Sequence, residues 1–109
     1  MAIYKIFRPE EWAELVHSGE TQGAPIDIAD GYVHFSTAEQ LVETLEKHFA
    51  GVEGLLILSV DETPMGGALK WEPSRGGALF PHLYRNLRLS DVTWARAVSA
   101  DGALPDGIQ

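Results

Sequence analysis

Apolar and polar positions change period along this chain, and the changes mark its elements. Ile3 to Phe7 is a short apolar run of β-formers and predicts a strand. Pro9 follows where a helix can start, because its fixed φ suits the first turn and its missing N–H is not needed there. Glu10 and Glu11 suit the positive end of a helix, and Trp12, Leu15 and Val16 recur on one face up to Gly19, a C-cap residue. Residues 20 to 31, with Gly23, Pro25 and the pair Asp30-Gly31, read as a loop. Tyr32 to Phe35 is a short strand. Ser36-Thr37-Ala38-Glu39 matches a capping box, with Ser36 and Glu39 as the reciprocal partners. Ala38, Leu41, Val42, Leu45 and Phe49 then carry a helix of about three turns.

The second half switches to strand signals. Leu55 to Val60 is nearly unbroken in apolar residues and reads as a strand buried on both faces. Asp61 to Gly67 is a turn region. Leu69-Lys70-Trp71-Glu72 alternates like a half-buried strand, and Pro73 to Gly77 breaks it. Pro81 makes Leu79 to Tyr84 irregular. Val92 to Ser99 alternates again, and residues 101 to 109 read as a frayed tail. The order predicts an α+β fold, a single domain over residues 1 to 100, with two early helices and a mostly antiparallel remainder. No Gly-x-Gly-x-x-Gly follows the first strand and no Walker-type lysine motif occurs, so classical dinucleotide and P-loop sites are not supported.

Composition narrows the class. The chain has 109 residues, 45% of them hydrophobic and 22% charged, which is ordinary for a globular domain. It has no cysteine, which excludes disulfides, thiolate chemistry and cysteine-ligated metal. The four histidines, 17, 34, 48 and 82, show no metal-ligand spacing, so no metal is expected. His17 and His48 fall on acidic helices and read as exposed. No apolar run approaches the roughly 20 residues of a membrane span, and Met1 to Lys5 has no signal-peptide core, so the expectation is a cytoplasmic protein without membrane contact.

Charge adds one distinction. The formal net charge of −8 opposes binding to duplex nucleic acid, since that binding depends on neutralising phosphates. The charge is unevenly spread: residues 9 to 62 hold twelve carboxylates against Lys47 alone, whereas residues 70 to 96 hold Lys70, Arg75, Arg85, Arg88 and Arg96 against Glu72 and Asp91. Either the acidic helices simply present solvated faces, or the second half lines a pocket for a small anionic ligand.

Three segments gather the residues with chemistry. In Asp30 to Thr37, Tyr32 and His34 share one strand face and Val33 and Phe35 the other. His34 falls beside a helix N-terminus, where backbone N–H groups favour an anion or a ligand oxygen, and can exchange a proton near neutral pH. A bond to a nearby carbonyl explains the same histidine without function. Ser36 and Thr37 read as caps first and ligand contacts second. In Leu69 to Gly77, Lys70 and Glu72 share a face, either as a surface pair or with Glu72 at a cleft edge. Arg75-Gly76-Gly77 is a turn whose Arg75 offers a fork for phosphate. In Leu79 to Arg85, His82 and Tyr84 alternate with apolar neighbours.

Together, Asp30-Gly31-Tyr32-Val33-His34-Phe35-Ser36-Thr37-Ala38-Glu39-Gln40, Leu69-Lys70-Trp71-Glu72 and Phe80-Pro81-His82-Leu83-Tyr84 resemble a small bacterial family catalogued as domain of unknown function 952. The resemblance spans roughly residues 3 to 98. Members of that family resemble compact ADP-ribosyltransferase folds, which implies a split, bent antiparallel sheet with a cleft between its halves. It also implies roles. His34 matches the residue that meets the ribose of NAD, and Tyr84 or Trp71 the aromatic group that stacks on nicotinamide. Glu72 is the available acid to stabilise the oxocarbenium-like transition state. Residues 92 to 99 hold no glutamate, so the family's usual late acid has no counterpart there. The expectation is an NAD-type nucleotide bound with His34 and Glu72 as catalytic groups and Ser36, Thr37, Trp71, Arg75, His82 and Tyr84 as binding groups, or a non-catalytic small-metabolite or protein-binding module. A third alternative is a hydrolase using His34 and His82 as an acid–base pair.

Overall fold

A computed structural model describes residues 2 to 108, the side chain of Arg75 excepted. Strand β1 (Ala2–Phe7) forms where the N-terminal apolar run has both faces covered. It pairs antiparallel with β4 (Leu56–Asp61), which in turn pairs antiparallel with β8 (Val92–Ala97), giving the sheet order β1-β4-β8. The two-residue period sorts its side chains. Ile3, Phe7, Leu58 and Val60 face a larger core with Leu15, Val33, Phe35 and Leu83. Tyr4, Ile6 and Ile57 face a smaller one with Leu41 and Leu55. Strands β1 and β4 are therefore buried on both faces, as the unbroken apolar run at 55 to 60 predicted for the second of them.

A second sheet has the order β3-β6-β5, from β3 (Val33–His34), β5 (Leu69–Pro73) and β6 (Leu79–Leu83). Its strands are antiparallel too. The two sheets touch through one bridge, with Tyr4 N donating to Ser36 O and Ser36 N to Tyr4 O, both at 2.8 Å. No other strand pairing joins them among the described residues. A two-stranded ribbon, β2 (Glu20–Thr21) with β7 (Leu87–Arg88), stands apart in the pairing scheme. The fold is α+β with antiparallel sheets, as the element order predicted.

Helix α1 (Pro9–Ser18) starts at the predicted proline and ends at Gly19, whose φ of 81° is open to glycine at little cost. Helix α3 (Ala38–His48) follows β3. Between them the structure departs from the sequence reading. Part of the expected loop is a third helix, α2 (Pro25–Asp30). Its Ile26 and Ile28 are exposed and its buried residue is Asp27, so it carries no apolar stripe for periodicity to detect. The cap of α3 is also shifted by one residue. Thr37 is the N-cap and its N–H donates to Gln40 Oε1 at 2.9 Å, while Ser36 is spent on the bridge to β1.

Residues 79 to 83, expected to be irregular, are strand β6. Pro81 is tolerated at its centre because its carbonyl still accepts from Phe35 N–H at 2.9 Å, just past the end of β3. Where the sequence suggests a frayed tail, Leu104 and Ile108 pack on the smaller core and the Asp106 carbonyl accepts from Arg96 at 2.8 Å.

Candidate functional site

Strand register assembles the site. His34 of β3 lies directly opposite His82 of β6, and His82 opposite Lys70 of β5. Because side chains alternate, Tyr32, Tyr84 and Glu72 stand on the same face of this sheet, each two residues from a member of that row. The other face carries Val33, Leu69, Trp71 and Leu83 into the larger core. The ring of Tyr32 stacks on His82 at 4.2 Å between centroids and lies 4.6 Å from His34 and 5.2 Å from Tyr84. The two histidine rings meet edge to face at 5.4 Å.

Each histidine is held by a carboxylate. His34 Nδ1 is 2.5 Å from Asp27 Oδ1, and its Nε2 is 3.0 Å from Asp30 Oδ2. His82 Nδ1 is 2.8 Å from Glu72 Oε1, which also accepts from Tyr84 OH at 2.6 Å. An ionised carboxylate only accepts, so both Nδ1 atoms carry the proton. Among the described residues His82 Nε2 has no hydrogen-bond partner.

Asp27 is the hub beneath His34. It is 1% exposed, and besides the ring it accepts from Lys5 Nζ at 2.7 Å, Ala24 N–H at 2.7 Å and His34 N–H at 3.0 Å. Lys5 is 6% exposed and also donates to the His34 carbonyl at 2.8 Å. Burial works against ionisation of Asp27, but the bonds from His34 and Lys5 outweigh it and hold the carboxyl below its ordinary value. Burial pulls the Lys5 ammonium down from its ordinary value against the attraction of Asp27. Gly23 makes this packing possible: its φ is 102°, and a Cβ there would collide with the Asp27 side chain.

The outer pair behaves differently. Hydrogen bonds from Tyr84 and then His82 hold Glu72 below the usual carboxylate range. The same bond pushes the Tyr84 phenol up to about 12. Desolvation, with the Asp30, Glu72 and Asp27 carboxylates behind it, raises the Tyr32 phenol as well. The Lys70 ammonium lies 5.3 Å from the Tyr84 ring centroid.

His34, His82, Tyr32 and Ser36 line a cleft of about 920 Å³ that opens where the two sheets part. Its apolar walls include Ile6, Phe35, Phe49 and Phe80, and its rim includes Glu10, Glu11 and Glu14 of α1 with Ile26 and Ile28 of α2. Tyr32 also borders a smaller hollow of about 340 Å³, which Tyr84 lines.

The expected site residues are distributed unequally. His34, Ser36 and His82 are brought together in the cleft. Ser36 Oγ lies 3.3 Å from Thr44 Oγ1. Glu72 and Tyr84 stand behind His82, and Glu72 lines neither cavity. Trp71 packs against the core on the opposite sheet face. Thr37 caps α3 and is not among the cleft-lining residues. Arg75 opens a short 3₁₀ turn, and its side chain lies outside the described residues.

The charge split of the sequence also resolves differently in space. Arg85 is held bidentate by Asp91 at 2.8 and 2.9 Å, and Arg96 lies over the Trp94 ring at 4.4 Å. Among the described lining residues the lysine and arginine of the cleft are Lys5 and Arg8, both from the N-terminus. Arg8 makes a long 3.7 Å contact with Glu11 and lies 5.0 Å from the Phe49 ring centroid. Sequence reasoning missed Asp27, Tyr32, Lys5, Asp30 and Arg8. Tyr32 was signalled by sharing a strand face with His34. Asp27 had no local signal, because only the fold brings Lys5 to it.

This α+β fold with antiparallel sheets recurs in solved structures. The chain belongs to the family described as a protein of unknown function, domain of unknown function 952, whose model matches residues 6–95. Among solved structures it is similar to the crystal structure of protein CC0527 from Caulobacter crescentus, with 46% identity, a TM-score of 0.88, and 94% of this chain and 92% of that chain covered. It is likewise similar to the solution structure of CC0527, at 47% identity and a TM-score of 0.80, covering 93% and 89% of the two chains. No curated protein matches the chain. Among the described residues no helix is long and apolar enough to cross a membrane, and no group of three or more His, Cys, Asp or Glu could hold a metal ion.

Proposed function

We propose that this protein binds a nucleotide of the NAD class in the cleft between its sheets and acts on the N-glycosidic bond. The observation that carries the reading is the meeting of His34, His82 and Tyr32 at the floor of one cavity. Its volume, about 920 Å³, falls within the range of small-molecule sites. The resemblance to ADP-ribosyltransferase folds supplies the ligand class.

The surroundings support one orientation. A nicotinamide ring is cationic while attached to ribose, and the Asp30, Glu10, Glu11 and Glu14 carboxylates at the cleft favour a positive group. Tyr32 offers an aromatic face for it. The imidazolium form of His34 donates its Nε2–H to a ribose oxygen once Asp30, which is exposed, releases it. The diphosphate goes to Arg8, whose long contact with Glu11 leaves its donors available.

A second reading, binding without turnover, is favoured by the position of Glu72, which accepts from Tyr84 and His82 and does not line the cleft. Calorimetric titration of NAD and ADP-ribose separates binding from no binding, and chromatographic assay of nicotinamide release separates the two readings. Saturable heat that weakens at least about tenfold in His34→Ala is expected, as for loss of a hydrogen bond to a charged or polar ligand group. No heat from either nucleotide at millimolar concentration overturns the proposal.

A further inference from the structure

The sequence leaves the late acid of the resembling fold without a counterpart, and Glu72 is the nearest substitute. Its surroundings assign it another task. Both of its donors, Tyr84 OH at 2.6 Å and His82 Nδ1 at 2.8 Å, converge on the same oxygen, Oε1. Glu72 sits behind His82 as seen from the cleft, and His82 is the group that lines it. We propose that His82 is the general base of this site and that Glu72 and Tyr84 are its positioning residues.

The tautomer follows from the pairing. Glu72 holds the Nδ1 proton, so the neutral ring keeps its lone pair on Nε2, the nitrogen without a partner among the described residues. Tyr84 fixes the carboxylate, and Tyr32 stacked at 4.2 Å fixes the plane of the ring. His82 is only 3% exposed, so the ring cannot turn freely. His34 is unsuited to the same task, because both of its nitrogens face carboxylates.

The proposal rests on the nucleotide reading above and states which proton must move. When NAD is cleaved, nicotinamide leaves as a neutral molecule, since the electron pair of the broken C–N bond cancels the charge of the ring. The leaving group needs no acid. The incoming water, or a hydroxyl acceptor in its place, forms the new bond to the anomeric carbon and must lose a proton, which Nε2 of His82 accepts. The balance is NAD plus water to ADP-ribose, nicotinamide and one proton. One base suffices, and a second carboxylate in the cleft is not required.

Two measurements test this. Nitrogen-15 spectra of the neutral histidine rings report the tautomer without any ligand: a protonated Nδ1 and bare Nε2 for His82 are expected, and a proton on Nε2 overturns the proposal. Nicotinamide release is then compared among variants. His82→Ala should lower kcat by about 10²- to 10⁴-fold, with calorimetric affinity for NAD within about threefold of wild type, a factor worth under about 1 kcal/mol. Glu72→Gln should lower kcat about 10- to 100-fold with little change in KM, and the ring spectra should then show a tautomer mixture. Near-normal turnover in His82→Ala overturns the base assignment while leaving the nucleotide reading intact. Wild-type protein that binds NAD but releases no nicotinamide overturns the base assignment and the cleavage reading together.

Discussion

Removing the Asp27 carboxylate is the sharpest test of how the site is held. Asp27 and Lys5 form a buried pair 2.7 Å apart, with side chains 0% and 6% exposed. In Asp27→Ala the Lys5 ammonium keeps, among the described residues, the His34 carbonyl as its hydrogen-bond partner, and the Ala24 and His34 amides lose their acceptor. Breaking a buried pair from one side costs about 3–5 kcal/mol. A domain of this size has about 5–15 kcal/mol in all, so the variant is marginal. Its melting temperature should fall by about 12–20 °C, taking about 4 °C per kcal/mol. The double variant Lys5→Met/Asp27→Leu should recover part of the loss, because an apolar pair removes the uncompensated charge, while the Ala24 and His34 amides stay without their acceptor. Urea denaturation of wild type, single and double variants measures both steps. A single-variant loss under about 1 kcal/mol, or a double variant no better than the single, refutes the reasoning. The pH dependence has a fixed sign. Asp27 is held below its ordinary value near 3.9 in the folded state. Its contribution is complete above that value and disappears as pH falls through the depressed folded value. The gap between wild type and Asp27→Asn should therefore close in acid.

Three further outcomes follow from neighbouring geometry. The Tyr84 phenol, pushed up to about 12 by Glu72, should titrate back toward its ordinary value in Glu72→Gln; absorbance at alkaline pH, with Tyr84→Phe to identify the transition, shows the change, and an unmoved transition refutes the bond. Gly23→Ala should lower the urea midpoint by more than about 1 kcal/mol equivalent, because φ is 102° and the new Cβ meets Asp27. Arg8→Gln should weaken ADP-ribose binding about tenfold or more while sparing the melting temperature, since a charge-assisted bond of about 1.5–3 kcal/mol is lost; equal affinity removes Arg8 from the phosphate subsite.

Much of the fold was legible because its signals are local. Pro9 and Gly19 bound α1, and the apolar run at 55 to 60 is the doubly covered central strand. The misreadings share a cause. Helix α2 has six residues and buries an aspartate instead of an apolar stripe, so it resembles a polar loop. Strand β6 passes through Pro81, a residue that ordinarily ends pairing, because β3 stops at His34 on one side while β5 continues to pair on the other. Trp71 was matched to a stacking group through the family resemblance, whereas its neighbours Lys70 and Glu72 occupy the site face and alternation sends Trp71 into the core.

The sequence by itself determined the two-residue alternation that puts Tyr32 with His34, His82 with Tyr84 and Lys70 with Glu72, since alternation is a property of the extended backbone. Only the tertiary structure decided that these three pairs share one face of one sheet. That depends on the register His34↔His82↔Lys70, which is set by pairing between segments far apart in the chain. The same holds for charge. Composition counted the acidic and basic residues, but folding spent Arg85 on Asp91, buried Lys5 against Asp27 and placed Arg8 at the cleft. A charge acts through its distance to others and its exposure to water, and neither quantity exists until the chain is folded.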